Sequence, residues 1–327
     1  MKLYFLGSAR EALAVAAALS AFAANSLLCR WALHVCAMDP AGFGSIRLVS
    51  AAVTLVLVSW VARRPLRPVG GHWASALLLC VYVFCFSSAY VELAAGTGAL
   101  VLFALVQVTM LGGALEAGES VAWKELAGGT AAMAGLFVLL APGWQTPSLK
   151  GALLMAIAGM AWGIYSLRGR SAVDSLHTTT GNFVRALPFS VLMLIVVLRR
   201  SELHPTGILL AVGSGALATG LGYVVWYWAL KRMDASRAAW LQLLVPLLSA
   251  IGGIGVLGES LSPRLACSAT LILGGLGMAL YADAAPRKAG GRRLRMMRRS
   301  SGVRSQVQQS AVKAARARAR VPILSPR

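Results

Sequence analysis

The chain has 327 residues, 58% of them hydrophobic and only 13% charged, about half the charged share of a soluble domain. Its formal charge of +20 comes from 31 Lys and Arg against 11 Asp and Glu, and 13 of the basic residues lie between Arg287 and Arg327. These numbers exclude a soluble globular protein, and they exclude nucleic acid as the reason for the charge, because the excess belongs mostly to a tail. The five cysteines (Cys29, Cys36, Cys80, Cys85 and Cys267) are scattered through apolar runs without metal-ligand spacing. They read as small buried hydrophobes, not as a disulfide frame or a zinc site.

A membrane-spanning helix needs about 20 mostly apolar residues. Ten such runs can be marked, at 11–34, 41–62, 73–92, 95–116, 121–141, 149–169, 179–198, 206–229, 235–257 and 262–283. The connections carry Gly, Pro, Asp and Arg, and none can hold a soluble domain. Ser262-Pro263 is a helix start, with serine as cap and proline at the first helical position. Pro188 and Pro246 fall inside apolar runs, where proline removes a backbone hydrogen bond and bends the helix.

The segment 99–140 is written twice. At an offset of 140 positions it lies on 239–280 without a gap, with ten identities that include Gly112-Gly113 on Gly252-Gly253 and Gly118-Glu119-Ser120 on Gly258-Glu259-Ser260. The same offset carries Ser26, Leu27 and Arg30 onto Ser166, Leu167 and Arg170. The apolar start could pass for a secretion leader, but its repeat partner predicts a retained first helix. Internal duplication in a membrane chain points to a transporter whose site lies between the halves.

Five helices per repeat oblige the second copy to enter from the opposite face. The predicted fold is all-α and integral to the membrane, with ten transmembrane helices as two inverted five-helix repeats at 11–141 and 149–283. With 1–10 cytoplasmic, eleven Lys and Arg fall in cytoplasmic loops against five on the other face, which favours both termini inside. The tail, 286–327, has too little apolar surface for a core and is expected to be disordered, attracted to anionic lipid.

Two copies of a five-helix unit, each ending in a glycine-rich helix, a Gly-Glu-Ser turn and another Gly-containing helix, resemble the drug/metabolite transporter superfamily, and within it the EamA-type exporters. Arg47 and Arg185, early in the second and seventh helices, match that family's arginine. The resemblance covers 9–283. It implies an inner-membrane transporter of small metabolites, usually an exporter; amino acids are the commonest substrates and aromatic amino acid exporters form one branch.

Polar groups at membrane depth are candidates for function. Arg47 and Arg185 could each clamp a substrate carboxylate, or anchor the fold on an acid or a backbone carbonyl; because both halves carry one, anchoring is the stronger reading of the pair. Asn25, Ser26, Tyr82, Gln107, Trp162, Tyr165, Ser166, Trp240 and Gln242 are the other candidates for the substrate path. Tyr223, Trp226, Tyr227 and Trp228 read as an interfacial belt. All eleven acids fall near helix ends or loops. A facilitator without obligate proton coupling follows, with Glu92 as the borderline case, while Glu119 and Glu259 read as turn and cap residues. No His-Glu-x-x-His or Gly-x-Ser-x-Gly pattern supports an intramembrane enzyme. No cofactor or metal is expected, and the partners are a small-molecule substrate and the bilayer, with the chain as monomer or homodimer.

Overall fold

The computed structural model describes residues 9–63, 70–118, 123–140, 147–170, 172–200, 204–233, 238, 241–242, 244–260 and 262–283. The basic tail, Glu119, Glu202, Asp234 and Trp240 lie outside the described residues. The described residues form ten helices: α1 Ala9–His34, α2 Pro40–Val61, α3 Trp73–Ala89, α4 Ala95–Glu116, α5 Trp123–Leu140, α6 Leu149–Arg170, α7 Ser175–Leu198, α8 Pro205–Leu230, α9 Leu244–Leu257 and α10 Pro263–Asp283. Six of them (α1, α2, α4, α6, α7 and α8) hold an 18-residue window of mean hydropathy between 1.3 and 2.0, long and apolar enough to cross a membrane.

Local chemistry sets the ends. Asp39 Oδ1 accepts from the amides of Ala41 and Gly42, both at 2.9 Å, and Pro40 opens α2. Ser262 Oγ accepts from Leu265 N at 3.1 Å ahead of α10. The glycines of the two Gly-Glu-Ser copies, Gly118 and Gly258, have φ of 71° and 66°, the left-handed conformation that ends a helix and that other residues resist. This is why the glycine recurs. Two boundaries differ from the sequence expectation. α7 starts at Ser175, not 179, because Asp174 caps His177 N and the polar turn Ser175–Thr180 escapes an apolar count. α3 stops at Ala89, where Glu92 N and Leu93 N both turn back onto Ala89 O.

The packing repeats as the sequence does. α3 lies on α6 as α8 lies on α1, and α4 lies on α6 as α9 lies on α1; the equivalent pairs α2–α7, α4–α9 and α5–α10 meet one another. Exchanging the two halves leaves this pattern unchanged. The details follow to within one residue: Leu167 fills the space over Gly113, and its repeat partner Leu27 fills the space over Gly252, the neighbour of Gly113's equivalent Gly253. Small residues let these helices approach closely. At Gly159 a methyl group would stand 2.5 Å from Leu102 O and 2.9 Å from Leu105 Cβ, so α4 and α6 would have to separate. Gly159→Ala is therefore expected to lose about 1–3 kcal/mol of stability, read as a lower thermal midpoint in detergent. Gly112→Ala, where nothing lies within 4 Å of the added carbon, is expected to leave that midpoint unchanged or slightly higher.

The middle of α8, Ser214–Leu221, is π-helical. The sequence there, Ser-Gly-Ala-Leu-Ala-Thr-Gly-Leu, is small enough for α2 to press in: Gly215 lies against Arg47 O and Ser50 Oγ. Wide turns of this kind re-aim side chains and recur at functional sites. Here they turn Ser214 and Thr219 toward the interior.

Candidate functional site

Arg47 is fully buried, with 0% of its surface exposed. Its Nε donates to Thr219 Oγ1 at 2.9 Å and its Nη2 to Tyr82 OH at 3.1 Å. With the Asn25 amide turned so that its nitrogen donates to Ser214 Oγ at 2.6 Å, the Asn25 oxygen accepts from Arg47 Nη2 at 3.2 Å. The guanidinium carbon stands 5.2 Å from the Tyr82 ring centre and 5.0 Å from that of Phe86, cation–π contacts that ease its burial. Every one of these partners is neutral. Nη1 has no hydrogen-bond partner among the described residues, and a guanidinium has five N–H groups to satisfy.

Beyond Tyr82 an aromatic cluster fills the bundle. Trp162 lies 5.3 Å from Tyr82, 5.8 Å from Tyr165 in a stacked arrangement, 4.7 Å from Tyr223 and 5.5 Å from Phe22, edge on. Phe22 also meets Trp226 at 5.5 Å, and Tyr223 meets Phe183 at 5.7 Å. Trp162 Nε1 donates to Gln242 Oε1 at 2.9 Å, and Gln242 Nε2 faces Met110 Sδ and Ala238 O, both at 3.3 Å. Asn182 Nδ2 donates to Tyr165 OH at 3.4 Å, and Asn182 Oδ1 accepts from His72 N at 2.9 Å. A file of buried polar and aromatic groups thus runs from α1 and α2 through the middle of α3, α6 and α8 to the start of α7.

The sequence candidates divide accordingly. Asn25, Arg47 and Tyr82 meet directly, and Tyr82 leads through Trp162 to Tyr165 and Gln242. Ser26 and Ser166 are buried beside Tyr90 and Tyr227. Gln107 is buried on α4 with neither amide atom hydrogen-bonded among the described residues. Arg185 stands apart: half-buried, it donates from Nη1 to Gly181 O at 3.1 Å, one turn back on α7.

Tyr223, Trp226 and Tyr227 are buried, so the reading of them as an interfacial belt is corrected. They recur at i, i+3 and i+4, one helical face, and that face looks inward; only Trp228 keeps an outward position, under Arg10 and Arg232. Ser214 and Thr219 were also missed, because small hydroxyl residues inside an apolar run carry no signal of the π-helical turn that aims them inward.

Glu259 likewise differs from expectation. It caps a helix, but in the other half: both carboxylate oxygens accept from Ala95 N, the first residue of α4, at 3.0 Å. Arg30 Nε lies 3.4 Å from Glu259 Oε1, and Arg30 Nη1 donates to Tyr90 O and Val91 O at 2.9 and 3.1 Å. A cavity of about 320 Å³, lined in part by Thr97, Ile254, Glu259 and Ser262, opens beside this cluster. Glu92, at the same end, bonds Ser148 Oγ and pairs with Lys150 Nζ at 2.9 Å, and these hydrogen bonds hold its carboxyl below the usual range.

The profile of the EamA-like transporter family matches residues 149–281, the second half. An uncharacterized protein of Pseudomonas aeruginosa is 46% identical over 271 residues, 83% of this chain and 94% of its own length. A protein of Escherichia coli named "Probable amino-acid metabolite efflux pump" is 28% identical over 255 residues, 73% of this chain and 85% of its own. A solved crystal structure shares the fold, with a TM-score of 0.64 at 20% identity over 84% of this chain and 99% of that one. The ten helices of the described residues, most of them apolar and packed as two matching halves, and a buried polar file agree with these likenesses: the chain is a multi-pass membrane protein that belongs to the EamA-like transporter family.

Proposed function

We propose that this transporter exports small amino-acid-type carboxylates from the cytoplasm across the inner membrane by alternating access, with Arg47 receiving the carboxylate. The observation that carries the reading is the Arg47 guanidinium, wholly buried and without an acid partner among the described residues. An uncompensated charge in a membrane interior costs several kcal/mol, and such a cost persists where the charge is used. A substrate carboxylate would take the vacant Nη1 protons, and displacing Tyr82 OH or the Asn25 oxygen from Nη2 would complete the forked geometry a guanidinium favours. Asn25, Ser26, Tyr82, Gln107, Trp162, Tyr165, Ser166 and Gln242 would line the rest of the path, with Trp162 as its apolar wall. The name of the Escherichia coli relative supports amino-acid metabolites as the cargo class.

The described acids sit at helix ends, which supports a facilitator driven by the substrate gradient. Counterflow in proteoliposomes is expected to continue unchanged when the pH gradient is collapsed, and strict dependence on that gradient would overturn this part of the reading. The loop charges support both termini inside. A panel of labelled amino acids tests the whole: saturable, trans-stimulated efflux of at least one neutral amino acid is expected, with more than a tenfold loss in Trp162→Ala. Flux that never saturates would make the protein a pore.

A further inference from the structure

An unbroken series of contacts joins Arg47 to the cavity at the end of the bundle. Phe86 faces the guanidinium at 5.0 Å and meets Tyr90, one turn further along α3, edge on at 4.7 Å. Tyr90 OH donates to Ala95 O at 3.3 Å, and Ala95 N donates to Glu259, which lines the cavity of about 320 Å³. Phe86 and Tyr90 are both buried, so two stacked turns of aromatic side chain separate the guanidinium from that cavity.

The acid on the cavity wall has lone pairs to spare. Its two oxygens share the single N–H of Ala95, both at 3.0 Å. Arg30 Nε, 3.4 Å from Oε1, makes no hydrogen bond among the described residues, and Arg30 donates instead from Nη1 to the Tyr90 and Val91 carbonyls. An ionised carboxylate accepts about four hydrogen bonds, so most of the capacity of Glu259 is unfilled. The hydroxyl residues Thr97, Ser260 and Ser262 share the lining with the apolar Ile254 and Leu265. A carboxylate, hydroxyl acceptors and an apolar wall suit a primary ammonium carried on an apolar group, which has three N–H to satisfy. At Arg47 the same ammonium meets a cation.

Building on the reading of Arg47 as the seat of the substrate carboxylate, we infer that the cavity beside Glu259 is a second cargo site, a vestibule that takes the ammonium of the amino acid once Phe86 and Tyr90 give way. Arg47 and Glu259 then act in turn, each on one charge of the same zwitterion. With both termini inside, the vestibule lies at the face away from the cytoplasm and receives the cargo on its way out.

The test divides phenylalanine into its two charges. Phenethylamine keeps the ring and the ammonium, and 3-phenylpropionate keeps the ring and the carboxylate. With the full chain in detergent, both labelled probes are expected to bind saturably and without displacing each other. Glu259→Gln is expected to weaken phenethylamine binding about tenfold or more and to leave 3-phenylpropionate binding unchanged, and Arg47→Met to do the reverse. Thr97→Val removes one hydroxyl from the lining and keeps the side-chain shape. It is expected to weaken phenethylamine about threefold at an unaltered thermal midpoint, which separates a lost contact from a loosened fold. Phenethylamine that does not bind, that binds both cavity variants as well as the unaltered chain, or that 3-phenylpropionate displaces would overturn the vestibule. If 3-phenylpropionate binds Arg47→Met undiminished, the carboxylate seat falls and the ammonium site stands.

Discussion

Arg47→Met is expected to abolish carboxylate counterflow and, in the same protein, to raise thermal stability. The two effects share one cause. The guanidinium is buried with neutral partners only, and its Nη1 is unsatisfied. Replacing a buried, poorly compensated charge by an apolar side chain of similar length is often neutral or stabilising by about 1–4 kcal/mol. Methionine can lie on the Tyr82 and Phe86 rings that Arg47 now faces, a favourable sulfur–aromatic contact. The stranded Thr219 hydroxyl has a fallback partner in Asn25, 3.4 Å away. Transport loses two charge-assisted hydrogen bonds to the substrate at about 1.5 kcal/mol or more each, which together correspond to about a hundredfold. Arg47→Lys keeps the charge but not the fork, and is expected to fall between the two. Thermal unfolding in detergent and counterflow in proteoliposomes decide the matter. A lower midpoint in Arg47→Met with transport retained would make Arg47 an anchor of the fold.

The extent to which the sequence disclosed this site depends on which interactions are periodic. The offset of 140 was legible because packing is periodic: the residues that let helices touch, such as the pairs Gly112-Gly113 and Gly252-Gly253 with Leu167 and Leu27 above them, had to be copied along with the helices. Asn25, Tyr82 and Trp162 were legible because polar or amphipathic side chains in the middle of apolar runs have few places to go but inward. Tyr223 and Tyr227 were misread because a cluster of aromatics near a helix end fits an interface as well as a core. Only their spacing on one face separates the two, and the π-helical turns before them shift that face. The two arginines looked alike in sequence, and the structure separates them: Arg185 ties to Gly181 O at 3.1 Å, as an anchoring residue would, whereas the bonds of Arg47 go to Thr219 and Tyr82. What no pattern could reveal was the target of Glu259, because a contact 164 positions away along the chain leaves no local trace.

That contact leads to a second large effect. Glu259→Gln is expected to lower stability by about 2 kcal/mol and to loosen one end of the bundle. The carboxylate joins three elements of both halves: it stands at the α9–α10 turn, takes the first amide of α4 and lies beside Arg30 of α1. A carboxylate at a helix N-terminus contributes about 0.3–1 kcal/mol through the helix dipole. Its loss also leaves Arg30, 13% exposed at the side chain, without an acid; for a fully buried pair that step alone costs about 3–5 kcal/mol, and partial exposure reduces it. Glutamine keeps one acceptor for Ala95 N, so the helix start survives while the ionic link goes. Arg30 then keeps the Tyr90 and Val91 carbonyls, and α1 loses its ionic link to the second half at this end. Cys29, the fully buried neighbour of Arg30, reports the change. In a chain whose other four cysteines are replaced, an impermeant maleimide is expected to label Cys29 at least tenfold faster once Glu259 is glutamine. The double variant Arg30→Gln with Glu259→Gln should then be less destabilised than the two single changes summed, by about 1–3 kcal/mol. Additive losses with unchanged labelling would reduce Glu259 to a local cap.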